Sequence, residues 1–208
     1  MARAQLIGKH HPLLRKIRLA ASQARRAPAD LVVAEGIRTL EEATRAPCVI
    51  EAVLVSENFG FHARERSLLI AWQERDIRPL RSPERLLQTV SDLVTCQGAV
   101  ALVHVPARGL AEVDPGQLPL LVCACGIQDP GNLGTMIRTA LAAGASMVCT
   151  SPATVSAKNP KAIRSSAGAF FHIPVVEHIA PAEIVAYCKA RGIQTVSYTH
   201  LRAHETVL

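Results

Sequence analysis

The sequence predicts an α/β protein of two units, on three observations. Strand-like and helix-like runs alternate through its first half, the signature of a small α/β sandwich. A near-continuous apolar run at 118–125 reads as a strand buried on both faces, hence in a parallel sheet, and it leads straight into a helix. Between the halves, 106–117 (PARGLAEVDPGQ) holds two Pro and two Gly and reads as a linker. The 208 residues suit one large or two small domains. Apolar residues make up 49%, which excludes a disordered chain. No apolar run reaches the ~18 residues a membrane helix needs, so no membrane partner is expected.

The elements follow in chain order. Residues 9–26 form a basic amphipathic helix, with Leu13, Leu14, Ile17, Ala20 and Ala21 as its stripe, and Pro28 ends it. Residues 31–34 are a short strand. Gly36 opens a helix to Arg45, with Ile37, Leu40 and Ala43/Thr44 at helical spacing. Strand 50–55, helix 61–75 with Leu68, Leu69 and Trp72 inside, and strand 77–80 come next. Ser82 caps a helix over 83–90 that has Pro83 at its first position. A β-rich run covers 98–105. In the second half, strand 118–125 is followed by a helix from Asn132 to 143 stopped by Gly144. Strand 147–149, helix 160–167, strand 173–176, helix 182–190 after Pro181, and strand 193–196 complete the pattern.

Charge is uneven. Residues 1–26 carry seven basic groups and no acid, while the other 182 residues carry 16 basic and 17 acidic groups. Such an arm meets polyanions, most often nucleic acid, with Arg15 and Arg18 as its helical contacts; a solvated helix face and an Arg-rich transit peptide are the other readings. Only seven aromatic residues are present, which argues against single-strand binding by rows of stacked rings. The six cysteines show no CxxC spacing; they read as small buried hydrophobes, with Cys123 and Cys125 sharing one strand face. With no secretion signal, a reducing cytoplasm is expected, without disulfide or metal.

The chemistry concentrates in Gln128–Gly144, where a buried strand ends and a helix begins, the place where open α/β sheets bind ligands. Asn132 suits the N-cap. On a helical wheel, Leu133, Met136, Ile137, Ala140 and Leu141 make the apolar face, and Thr135, Arg138, Thr139 and Ala142 the opposite one. A face of small residues with a single arginine fits close approach of an RNA backbone or a second subunit; the plainer reading is a packing helix with one snorkelling Arg. Neither GxGxxG nor a Walker A motif occurs, which removes the usual support for dehydrogenase or nucleotide-hydrolysis chemistry, and neither HExxH nor GxSxG is found. His104, His172 and His178 lie near strands and read as structural. A second polar patch, Ser151–Gly168, places Lys161, Arg164 and Ser165 on one helix flank. Cations and hydroxyls without aromatics suit phosphate and ribose contacts, or a polar surface loop.

These residues resemble the SpoU/TrmH branch of the SPOUT RNA methyltransferases. Asp129-Pro130, Asn132, Gly134, Arg138-Thr139-Ala140 and Gly144 match the family's first motif at every fixed position. Asn159-Pro160-Lys161 with Arg164, Ser166, Gly168-Ala169 and Phe171 resembles the segment that follows, with Ser165 where Ala is usual. Val33-Ala34-Glu35-Gly36 with Glu41-Glu42-Ala43, and Ser91-Asp92 with Gln97 to Ala101, look like the family's substrate-binding domain. The resemblance covers about residues 5–196. It implies methyl transfer from S-adenosyl-L-methionine to a ribose 2′-oxygen of ribosomal or transfer RNA; a non-catalytic RNA-binding protein is the alternative. It implies an L7Ae-like α/β sandwich over 28–106 after a basic helix over 1–27, a linker at 107–117, and a SPOUT trefoil-knot parallel-sheet domain, incomplete, over 118–196. It implies a homodimer.

The site residues carried over are Arg138 and Asn132 for catalysis, Thr150 for the cofactor, and Glu35, Lys161, Arg164 and Ser166 for RNA. The family's motif arginine is often assigned the proton-accepting role. A guanidinium pKa above ~12 favours phosphate binding and stabilisation of the developing alkoxide instead. Asn132 would orient Arg138 or the ribose. Glu35 either serves RNA binding or pairs with a basic side chain. The family's two later cofactor motifs, an I-x-x-G-x-E-x-x-G-like loop and a P-M-x-G-x-x-x-S-L-N-V-like segment, do not occur. Residues 197–208 resemble nothing in the family and look like translated adapter sequence at a broken gene end, or else a divergent C-terminus. A truncated chain, inactive as written and a weak binder of S-adenosyl-L-methionine, is the resulting expectation.

Overall fold

The computed structural model describes residues 6–22, 28–91 and 96–197. Helix α1 (Pro12–Ser22) leads into β1 (Leu31–Glu35), α2 (Ile37–Arg45), β2 (Val49–Ser56), α3 (Ala63–Glu74), β3 (Leu80–Ser82), α4 (Glu84–Gln88) and β4 (Ala99–His104). These strands form a mixed sheet in the order β1-β4-β2-β3, with β4 antiparallel to both β1 and β2, and β3 parallel to β2. The sheet is buried on both faces. Leu31, Val33, Leu54, Val100 and Leu102 face Leu13, Leu14, Ile17 and Ala20 of α1 and Leu87 of α4. Val32, Ala34, Val53, Val55, Ala99, Ala101 and Val103 face Leu40 and Ala43 of α2 and Leu68 and Trp72 of α3. The stripe read on α1 is the buried one. Trp72 is fully buried, and its indole N–H donates to Thr44 Oγ1 at 2.9 Å, so the ring's one polar atom is satisfied inside the core.

The second unit holds β5 (Leu121–Ala124), α5 (Pro130–Ala142), β6 (Met147–Thr150), α6 (Pro160–Ser165), β7 (Val175–Val176) and α7 (Pro181–Ala190). Its sheet runs β5-β6-β7, all parallel, as the apolar run predicts. The predicted two-sided burial does not hold for β5. It lies at the sheet edge, Leu118 and Leu120 are exposed, and so are Cys123 and Cys125, which sit on a stretch no described element covers. Cys149, on the central strand, is buried as expected. The predicted strand at 193–196 is absent: after Gly192 the backbone is irregular and, apart from the half-buried Ile193, exposed. The helix predicted to start at Pro83 under a Ser82 cap has Pro83 itself as cap, with Ser82 ending β3. The predicted helix at 9–26 is helical over Pro12–Ser22, and residues 23–27 lie outside the described residues.

The linker is pinned. Val113 is buried against Met147, Ile184 and Tyr187, whose hydroxyl donates to the Val113 carbonyl at 3.3 Å. One apolar core passes between the units, joining Val32, Ala34 and Leu40 to Leu133, Ile137, Ile163 and Phe170. No helix among the described residues is long and apolar enough to cross a membrane.

His104 closes β4 between two carboxylates, with Nδ1 2.8 Å from Asp30 and Nε2 2.9 Å from Glu51. The Asp30 hydrogen bond, outweighing partial burial, lifts the imidazole above its usual value, and His104 in turn holds Asp30 below the ordinary carboxylate range. A raised folded value stabilises below the unfolded imidazole pKa of about 6.5, and this contribution is lost as pH rises through the folded value. The lowered Asp30 contributes above its unfolded value and is lost in acid. Thermal melts should therefore show a contribution from this cluster at weakly acidic pH that fades on going alkaline, and His104→Gln should remove that dependence while leaving the alkaline melting temperature nearly unchanged.

Candidate active site

Two helices with the same start build the site. Asp129 caps α5, accepting from the Asn132 N–H at 2.8 Å, with Pro130 at the first helical position. Asn159 caps α6, accepting from the Lys161 N–H at 2.8 Å, with Pro160 first. In both, the proline supplies a preset φ and spends no needed donor. The predicted cap, Asn132, lies three residues inside the helix and is exposed; the Asp-Pro pair was the signal that outranked it. Lys161 Nζ lies 3.0 Å from Asp129 Oδ2 and ties the two helix starts together. That ion pair, with the Asn132 amide, holds the Asp129 carboxyl below its ordinary range.

The helices touch backbone to backbone at Gly134, which is buried. A Cβ there would overlap the Ala162 carbonyl oxygen and lie 2.7 Å from Ser165 Cβ and 2.9 Å from Ser166 N. One turn on, Arg138 is exposed and makes no hydrogen bond or ion pair with any described residue. Its neighbours Thr135, Thr139 and Ala142 are exposed too, so the small-residue face read from the wheel stands open. Beside it Val122, Thr135, Met136, Thr139, Ala140 and Ala143 line a shallow groove of about 250 Å³.

The loops at the strand ends close on themselves. The Gly126 N–H donates to Ser151 Oγ at 3.1 Å and Thr154 Oγ1 at 3.0 Å, and Thr154 Oγ1 donates to the Ala124 carbonyl at 2.9 Å. Thr150, expected at the cofactor, is 1% exposed, and its carbonyl accepts from the Ile179 N–H.

The RNA candidates separate. Lys161 and Arg15 are exposed. Arg18 is engaged within its own unit, donating from Nη2 to Thr89 Oγ1 at 2.7 Å. Ser166 is fully buried; its hydroxyl donates to the Ile163 carbonyl at 2.6 Å and accepts from Phe170 N, so it has no surface to offer RNA. Glu35 is 2% exposed and faces Arg164, the pairing that stood as the alternative to RNA contact. The packing role of Gly134 depends on which helix lies opposite, and spacing along one chain does not carry that.

Two family profiles match the chain: the SpoU rRNA Methylase family over residues 119–207, and the RNA 2′-O ribose methyltransferase substrate binding family over 33–107. Residues 119–207 belong to the SpoU rRNA methylase family. The 23S rRNA (guanosine(2553)-2′-O)-methyltransferase RlmP of Bacillus subtilis is 36% identical over 160 residues, which is 77% of this chain and 59% of that protein. The chain thus spans less than two thirds of that relative. The crystal structure of an RNA 2′-O ribose methyltransferase superposes with a TM-score of 0.73 at 27% identity, covering 90% of this chain and 70% of that one. The SpoU methyltransferase AviRb of Streptomyces viridochromogenes, solved in complex with AdoMet, shares the fold with a TM-score of 0.72 at 24% identity over 88% of this chain and 69% of its own.

The SpoU fold here depends on Gly134. Gly134→Ala should force α6 off α5, lower stability by about 1–3 kcal/mol as an overpacking change, and weaken the Asp129–Lys161 pair. Gly144→Ala, with open space around its Cβ but φ +75, is a control that strains only the backbone. Chemical denaturation of the two variants separates packing from backbone strain.

Proposed function

We propose that the protein transfers a methyl group to a ribose 2′-hydroxyl of ribosomal RNA, with S-adenosyl-L-methionine as donor. Arg138 carries this reading: a cation with no partner among the described residues, on an open face of small side chains, within a motif matched at every fixed position. A 2′-hydroxyl is a weak acid. A guanidinium can hold the adjacent phosphate and stabilise the oxygen as its proton leaves, while staying protonated itself. Lys161, exposed beside the start of α5, adds a second cation for phosphate. The ribosomal target is supported by the relatives' names, and the donor by the family and by AviRb's bound AdoMet.

The groove beside Arg138 does not enclose that donor. The groove of about 250 Å³ is shallower than sites for ligands of such size, and the Ser151 and Thr154 hydroxyls are turned onto Gly126 and Ala124. Arg138 and Lys161 are accordingly assigned to the RNA.

The test is transfer of labelled methyl into 23S ribosomal RNA by the protein as its gene encodes it, with alkali-resistant linkages marking 2′-O-methylation. Arg138→Ala should lower transfer by about 100-fold or more, the cost of removing one charge-stabilising donor, while RNA affinity changes little. Transfer by Arg138→Ala at the wild-type rate overturns the reading. RNA binding without transfer by the wild type would favour the non-catalytic RNA-binding alternative.

A further inference from the structure

The joint between the two units is lined by groups that face inward. Glu35, the last residue of β1, accepts a hydrogen bond from Ser91 Oγ through Oε1, and its Oε2 lies 3.9 Å from Arg164 Nη1 in α6. The residues after α6 are fitted to the first unit as well. Gly168 has φ +89, and a Cβ there would overlap Glu42 Cβ and lie 2.6 Å from its Cγ, so only glycine lets this turn sit on α2. Glu42 Oε2 then meets His172 Nε2 at 2.9 Å. Lys158 Nζ donates to the Ala29 carbonyl across the same joint.

A buried carboxylate cannot reach RNA, and its charge would repel phosphate. Buried ion pairs add little net stability, yet they penalise every arrangement that separates them. This pair spans the two units. From Glu35 the contacts run to Arg164 on α6, from α6 to α5 at Gly134, and along α5 to Arg138.

We propose that Glu35 and Arg164 are positioning residues. Their pair fixes the substrate-binding unit against α6, so that RNA held by the first unit meets Arg138 in one orientation. The kinetic part rests on the methyl-transfer reading; the structural part rests on the fold alone.

Three measurements on the protein as its gene encodes it test this. They are amide hydrogen exchange, RNA affinity and single-turnover methyl transfer, for Glu35→Gln, Arg164→Met and Arg164→Lys. Glu35→Gln keeps the side-chain volume and a partner for Ser91, so it removes only the charge. Glu35→Gln and Arg164→Met should speed exchange about tenfold in residues 31–37 and 160–168, leave β2 unchanged, and cut transfer about tenfold at nearly unchanged RNA affinity. Arg164→Lys should recover most of the rate. Weakened RNA affinity with unchanged transfer per bound RNA would mean the pair touches RNA, and overturns the proposal. So does unchanged exchange at the joint, or a uniform rise in exchange with a lower melting temperature, which marks a merely structural pair. If the wild type transfers no methyl, the methyl-transfer reading fails, while exchange and RNA affinity still decide whether the joint exists.

Discussion

The contact between α5 and α6 at Gly134 is the constraint on which the rest of the site depends. Helix axes ordinarily keep 8–10 Å apart because side chains stand between them. Here a missing side chain lets the Ala162 carbonyl and the Ser166 amide approach the α5 backbone directly. That closeness brings the helix starts near enough for Lys161 to reach Asp129, and leaves Arg138, one turn further along α5, outward. A bulkier residue at 134 would act on Arg138 without touching it.

The charges divide into two kinds. Glu35, Asp129 and Glu51 each lie against a Lys or Arg from another segment of the chain, and Asp30 and Glu42 against the imidazoles of His104 and His172. The exposed pairs among them are individually weak, and all of them hold segments in register. Arg138 has no such partner among the described residues. The scaffold neutralises its own carboxylates locally, so none of them competes for the guanidinium that a phosphate would occupy.

What the sequence made legible follows the range of each signal. Period-3.6 stripes on α1 and α5 and the apolar run of β5 are local patterns, and they appear where expected. The cap on α5 was misplaced because Asn132 and Asp129 are both good capping residues; the proline after Asp129 decides between them through its fixed φ. Ser166 read as an RNA contact because a hydroxyl among cations looks exposed in one dimension, whereas its helix end turns it into the core. Cys123 and Cys125 read as buried because their strand is apolar, yet the sheet ends at β5. The edge of a sheet depends on pairing with distant strands and leaves no local mark.

The segment from Arg164 to Gly168 shows how one motif can serve two ends. By residue type it reads as an RNA contact, since arginine and serine side chains are both ordinary phosphate ligands. By position, Arg164 meets Glu35, Ser166 closes α6, and Gly168 seats α2. Arg164 and Gly168 are used up by the interface between units, and Ser166 by its own helix end. The RNA-facing duty then falls to Lys161, one turn back on α6, and to Arg138 on the neighbouring α5, both exposed. A chain that must present a bound strand to one reactive group needs both functions close together. A joint built beside the site transmits the setting of the first unit over a single helix contact, and a joint placed further off would let each intervening element blur it.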